Sequence, residues 1–286
     1  MIDIKYCPIC KSKNIKIIKE LEFRYPETIK NYYVDKRLRI AFDKIAKCDR
    51  REILKYNILQ CNDCGLIYLN PRSTDEEVLN KYYWIVEGMG IKNPDTNKVS
   101  KQKTGEGLSW IDIIKEGRIR KSVEKYADIQ ARTLLDFGGI DGRMCINLRN
   151  KYDCELIDLV KVSMYKKVKY IGESLEYCKN KKYDIILLSH VLEHVNKPLE
   201  YLLVIKKYLK GGKGIIVISV PAGYFNEWQH IREPLTHCNY FSKDSLKRVM
   251  ELAGLKTLEI KQYPFPEDKG EKEFGEIYYI GEKNNE

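Results

Sequence analysis

Thr133-Leu134-Leu135-Asp136-Phe137-Gly138-Gly139-Ile140-Asp141-Gly142 decides the fold. Thr133 to Phe137 is a short apolar run that reads as a buried strand. Three glycines follow within five residues, and the chain then turns helical over 143–150. A strand, a glycine-rich turn and a helix N-terminus make a cofactor cradle. The glycines let the backbone approach a ligand, and the first helical amides point at it. Asp158 lies 22 residues beyond Asp136, at the end of the next strand-like run. A ribose-binding carboxylate is expected there in a βαβ cofactor site.

Working outward, strand-like and helical segments alternate. Strands are expected at 133–137, 154–158, 183–188, 214–220, 255–263 and 276–282. Helices are expected between them at 143–150, 198–210 and 242–253, with another over 108–130 packing on the sheet. This alternation predicts a parallel, doubly wound α/β sheet. The last two strands are joined by a Pro- and Lys-rich loop, 264–274, without a helix, which fits an antiparallel terminal hairpin.

The N-terminal part is of another kind. Cys7-Pro8-Ile9-Cys10 and Cys61-Asn62-Asp63-Cys64 are two C-x-x-C knuckles, and four thiolates at this spacing make a tetrahedral structural zinc site. The second knuckle sits between strand-like runs, as in a zinc ribbon. Residues 25–46 carry apolar residues near helical spacing, so an inserted helical arm is expected, with Phe23, Tyr25, Tyr32 and Tyr33 either walling a substrate or packing the arm. Ser73-x-x-Glu76 and Thr74-x-x-Glu77 are alternative capping boxes for a helix running through Tyr83. Residues 87–107 read as a mobile loop, either a lid over substrate or a connector. The domains expected are a zinc module with helical arm at 1–70, a helical linker at 71–130 and the α/β domain at 131–286.

Composition bounds the rest. Hydrophobic residues make up 43% of 286, ample for a core. The N-terminus carries no apolar signal segment and no apolar run approaches membrane-spanning length, so a cytoplasmic protein without membrane partners is expected. Nine cysteines in a reducing compartment point to metal or core roles. The formal charge of +10 suits a phosphate-bearing partner, but the lysines are spread along the whole chain rather than gathered into a nucleic-acid stripe.

The glycine turn resembles the D-x-G-x-G-x-G loop of class I S-adenosylmethionine-dependent methyltransferases through Asp136, Gly138 and Gly142. Ile140 replaces the middle glycine, and Gly139 precedes it. A β-branched residue does not cheaply take positive φ, so the loop is expected to be αR or extended there, or cofactor binding altered. Tyr183-Asp184-Ile185-Ile186-Leu187-Leu188-Ser189-His190-Val191-Leu192-Glu193-His194-Val195 resembles the superfamily's fourth-strand signature. Lys210-Gly211-Gly212 is similar to its turn before strand five, and His237 to Leu255 to its H-x-x-F-[ST] tail. These motifs span 131–263 in order. The resemblance implies a Rossmann-like seven-stranded sheet with a terminal antiparallel hairpin. With the knuckles, the whole resembles bacterial methyltransferases that modify sugars and other small molecules in surface-glycan and antibiotic pathways.

The resemblance also implies roles. Asp136, Gly138, Gly139 and Gly142 frame the methionine portion of S-adenosylmethionine. Asp158 accepts both ribose hydroxyls, Glu173 and Ser174 border the adenine, and Ser189 and His190 lie along the methionine side. The chain has four histidines, His190, His194, His230 and His237, all in segments assigned to the sheet's carboxyl edge or the loop after strand five. An oxygen nucleophile benefits from a base, and histidine suits that near neutral pH. His194 and His237 are the preferred candidates, with His190 and His230 beside them. Tyr224, Glu227 and His230 are substrate-side candidates. His190-x-x-Glu193-His194 is also similar to the E-x-x-E-H magnesium site of ubiquinone-pathway O-methyltransferases, with histidine for the first glutamate, a swap that disfavours a hard Mg²⁺. The function expected is O-methylation of a sugar or phosphorylated sugar-like small molecule. A zinc-ribbon RNA methyltransferase and a non-catalytic binding protein are the competing readings.

Overall fold

The computed structural model describes residues 1–28, 38–39, 42–43, 47–88, 110–162, 164–222, 237–264 and 275–284. Strands β1 (Ile15–Arg24), β2 (Ile53–Cys61) and β3 (Ile67–Asn70) come first, followed by helices α1 (Asp75–Gly88) and α2 (Trp110–Tyr126). Then come β4 (Thr133–Phe137), β5 (Asp153–Ile157), β6 (Val168–Gly172), β7 (Ile185–Ser189), α3 (Pro198–Ile205), β8 (Ile215–Ala222), β9 (Asn239–Tyr240), α4 (Lys243–Leu252), β10 (Leu255–Pro264) and β11 (Gly275–Lys283).

Seven strands form one sheet in the order β10-β11-β8-β7-β4-β5-β6. β4 pairs in parallel with β5 and β7, β5 with β6, and β7 with β8. β11 is inserted antiparallel between β8 and β10. The expected Rossmann-like sheet with a terminal hairpin is therefore present. Alternate residues of β7 supply the two faces. Ile186 and Leu188 join a core with Leu202 and Ile205 of α3 and Leu246, Val249 and Met250 of α4. Ile185 and Leu187 join the opposite core with Ile119 and Val123 of α2. Period-two burial on both faces is what a doubly wound sheet requires.

A second sheet has the order β1-β2-β3-β9. Its last member comes from the far side of the chain: Ile67 pairs with Tyr240, and Tyr68 with Asn239. Cys7, Ile9, Cys61, Cys64 and Tyr68 belong to the same buried cluster as β7 and α4. The cysteine module is thus built into the α/β core rather than tethered to it. Phe42 packs with Leu54 and Tyr56, and Phe23 and Tyr25 pack against them. The two aromatics form an apolar contact there. Most of the expected arm, including Tyr32 and Tyr33, lies outside the described residues, as does loop 89–107.

Three expectations need correction. The helix expected at 143–150 is a three-residue 3₁₀ turn, Arg143–Cys145, followed by irregular turns. Asp141 competes for its start, accepting from the Arg143 backbone N–H at 3.1 Å and from its guanidinium at 2.9 and 2.8 Å. β6 is an additional strand that the pattern of residues did not supply. Ile140 takes φ 57°, against the expectation of αR or extended backbone. Elsewhere the Thr74 box forms: its N–H donates to Glu77 at 2.6 Å, and Glu77 N–H donates back to the Thr74 hydroxyl at 3.1 Å.

Candidate active site

The turn after β4 holds three left-handed residues at alternate positions, with φ 75° at Gly138, 57° at Ile140 and 78° at Gly142. The turn is left-handed at Ile140 as at the two glycines, although that residue is branched. Gly139 cannot carry a side chain, because a Cβ there would lie 2.1 Å from Asp136 Oδ2. Asp136 is fully buried; burial pushes its pKa up to about 7, against a Cys145 thiol at 3.5 Å that pulls it down.

Asp158 follows β5 and is 3% exposed. The backbone N–H groups of Ile140 and Val160 donate to its two oxygens at 2.9 and 3.1 Å. The Tyr82 hydroxyl of α1 stands at 2.8 and 2.9 Å from the same two oxygens. Burial raises the pKa of Asp158, while these donors oppose the rise. A buried carboxylate presenting both oxygens to one hydroxyl, beside a tight left-handed turn, fits a vicinal diol. Ser174 follows β6 and caps the turn Leu175–Cys178, and Glu173 beside it is exposed.

At the end of β7, Ser189 shares a 2.9 Å hydrogen bond with Ser219. His190 turns the chain with φ 56°. Its Nδ1 is 3.1 Å from Glu193 and its Nε2 is 2.5 Å from Glu276 on β11. Lys115 of α2 reaches Glu276 at 2.8 Å, and the Tyr278 hydroxyl donates to it at 2.5 Å. Burial opposes charge on all three partners, but their mutual hydrogen bonds win. His190 rises to about 9, and Glu193 and Glu276 both fall to about 2. His194 and His237 meet edge to face, with ring centroids 4.7 Å apart. The expected histidines His190, His194 and His237 are thus gathered at one sheet edge, two of them in direct contact. Tyr224, Glu227 and His230 lie outside the described residues.

A family model of methyltransferase domains matches residues 112–260, just over half of the chain. The chain belongs to this methyltransferase family. The matched segment contains β4 to β9, the turn at 138–142, Asp158 and the three described histidines. No curated protein sequence matches the chain. Among solved structures, the 1,6-didemethyltoxoflavin-N1-methyltransferase of Burkholderia thailandensis, bound to 1,6-didemethyltoxoflavin and S-adenosylhomocysteine, is similar at a TM-score of 0.55 and 13% identity. That match covers 78% of this chain and 97% of the other. A geranyl diphosphate methyltransferase in complex with SAM matches at a TM-score of 0.47 and 12% identity, over 59% of this chain and 85% of that one. At these identities the likeness concerns the methyltransferase fold. No helix among the described residues is long and apolar enough to cross a membrane.

The four knuckle cysteines are brought together as expected, all ligand atoms within 4.8 Å of one another. Cys7 and Cys64 sulfurs are 3.5 Å apart, as are those of Cys10 and Cys61. Tetrahedral zinc with bonds of about 2.3 Å requires sulfur separations of roughly 3.8 Å. Each knuckle ends on a left-handed residue, Lys11 at φ 59° and Gly65 at φ 73°. The donor set fits a structural zinc.

Sequence reasoning missed Tyr82, Glu276, Arg72 and Asn239. Glu276 left a trace, as the acid at the head of the apolar run Ile277–Ile280. Arg72 is 2% exposed and donates to Cys238 O at 2.8 Å, and also bonds Asn196 O and Asn239 Oδ1. Asn239 in turn donates to Leu192 O and Val195 O at 2.8 and 2.7 Å. Together they fasten the His237 segment to the turn after β7.

Proposed function

We propose that this methyltransferase moves the methyl group of S-adenosylmethionine onto a hydroxyl of a sugar or phosphorylated sugar-like small molecule. The observation that carries the cofactor half of this reading is Asp158, a buried carboxylate with both oxygens turned to one hydroxyl, beside the left-handed turn at 138–142. The solved neighbour that holds S-adenosylhomocysteine on this fold supports the cofactor. Bound there, the cofactor supplies an activated methyl on a sulfonium. Asp158 holds the ribose diol, the backbone of Asp136, Gly138, Gly139 and Gly142 lies along the methionine portion, and Glu173 and Ser174 border the adenine. Ser189 lies on the methionine side.

His194 and His237 form the acceptor-side cluster that activates the hydroxyl. His190 is held between two carboxylates and stays cationic at neutral pH, so it positions Glu193 rather than serving as a base. Tyr224, Glu227 and His230 follow β8 in sequence and belong to the acceptor side in this reading. The knuckles hold structural Zn²⁺, and nine cysteines without a disulfide fit a reducing cytoplasm.

Calorimetry with S-adenosylhomocysteine tests the cofactor. Heat and thermal stabilisation are expected for the wild type and their loss for Asp158→Ala. No heat and no stabilisation at saturating ligand would refute it. Labelled S-adenosylmethionine offered with nucleotide sugars or with ribosomal RNA then tests the acceptor; label in RNA replaces the small-molecule reading.

A further inference from the structure

We propose that Glu193, His194 and His237 bind a divalent first-row transition cation on the acceptor side of the proposed site. This deepens the functional reading above and rests on it for the cation's role, though not for its binding. One ligand atom from each of the three residues lies within 4.8 Å of the others. Two imidazoles and one carboxylate are the donor set of open zinc and iron(II) sites, where three protein ligands leave positions for water or substrate.

The carboxylate is what demands an ion. Glu193 is 1% exposed, and its Oε2 has no hydrogen-bond partner among the described residues. An anionic oxygen buried without a donor is costly. Its other oxygen, Oε1, is already engaged by His190 Nδ1 at 3.1 Å, which fixes the carboxylate's rotation and leaves Oε2 over. His194 Nε2 lies 3.9 Å from Oε1, too far for a hydrogen bond but near enough to share a metal.

The site is also preorganised. Glu193 and His194 sit on one turn and His237 on a distant segment. The N–H groups of Cys238 and Asn239 both donate to Glu193 O, at 2.8 and 3.1 Å. His237 is therefore held against the Glu193 turn by main-chain bonds that need no ion. Glu193 is buried and both histidines are half-buried, so the carboxylate is the deepest of the three donors. Two nitrogen donors favour zinc, cobalt or iron(II) over magnesium. A cation there would take an acceptor oxygen into an open position and lower its pKa, so His194 and His237 would act as ligands rather than bases.

The test is a Co²⁺ titration of chelator-treated protein, without cofactor or acceptor. Cobalt in the four-cysteine site gives intense thiolate charge-transfer absorption; cobalt on two imidazoles and a carboxylate gives only weak ligand-field bands. The wild type should take up an equivalent of the second kind. His237→Ala should weaken that equivalent at least tenfold, and Glu193→Gln likewise, while the thiolate band is unchanged and reports an intact fold. A wild type that saturates with thiolate-type absorption alone overturns the proposal. So does a His237→Ala variant that binds the second cation as tightly as the wild type. Neither outcome touches binding of S-adenosylhomocysteine, measured separately, so loss of the cation site and loss of the methyltransfer reading stay distinguishable.

Discussion

The Tyr82 hydroxyl lies 2.8 and 2.9 Å from the two oxygens of Asp158, where the proposed function places a ribose diol. Tyr82 belongs to α1, whose last residues lead into the segment 89–109. The free protein thus pairs a buried carboxylate with its own side chain, and a cofactor must displace that pairing. Tyr82→Phe removes the competitor. The apo protein should lose about 1.5–3 kcal/mol, the net worth of a hydrogen bond to a charged group. Affinity for S-adenosylhomocysteine should rise several-fold, measured by calorimetry. A tenfold or greater loss would instead make Tyr82 a contact of the bound cofactor.

Ile140 sits at φ 57°, a conformation that costs a non-glycine residue roughly 1–2 kcal/mol. Its side chain contributes in return to the small apolar cluster of Val160, Val162, Tyr82 and Met164. Ile140→Ala loses the contact and keeps the strain. Ile140→Gly loses the contact and relieves the strain. The glycine variant should therefore be more stable than the alanine variant by about 1 kcal/mol, a reversal of the usual order, read from urea unfolding midpoints. The usual order would mean that the turn relaxes out of the left-handed region in solution.

These two residues show where sequence reading stops. β4 was legible to the residue, because Thr133–Phe137 is an apolar run closed by glycine. The place of Asp158 beside the glycine turn was legible by spacing, the Thr74 cap by its reciprocal box, and the knuckles by their cysteines. β6 was not, because Val-Lys-Tyr-Ile-Gly is short, carries an exposed lysine and ends on glycine. β9 is two residues long and exists only because β3 is there to pair with it. Tyr82 and Glu276 reach their partners across 76 and 86 residues of chain, and no local pattern encodes such contacts.

Asp136 gives a pH dependence with a defined sign. Burial raises its folded-state pKa to about 7, above an unfolded value near 3.8. The folded state therefore prefers the protonated acid. Its contribution is fully favourable below about pH 4 and is lost as pH rises towards 7, by a few kcal/mol at most, at about 1.4 per unit. Asp136→Asn imitates the protonated form. Urea unfolding from pH 4.5 to 7.5 should show the wild type losing stability relative to the variant as pH rises. Parallel profiles would show that Asp136 titrates normally in the fold.

Zinc removal should be felt at the segment after His237, well away from the knuckles in sequence. Cys61 ends β2 and Cys64 leads into β3, and the Cys61 N–H donates to Leu66 O at 2.9 Å to close the turn between them. β3 pairs with Asn239 and Tyr240, and Leu69 N–H donates to Cys238 O at 3.1 Å. Arg72, just beyond β3, donates to the same carbonyl at 2.8 Å. The chain of contacts runs from thiolates to β3 to the residues that follow His237. Without an ion, four cysteines within 4.8 Å cannot all remain thiolates, and the turn at 61–66 loses its anchor. Chelation should therefore lower thermal stability and, before global unfolding, speed amide exchange at Asn239 and Tyr240. Arg72→Met should reproduce the exchange effect with zinc retained, because it cuts the same link one step later. Unchanged exchange at Asn239 after zinc loss would show that the module and the segment after His237 are energetically independent, despite their shared sheet.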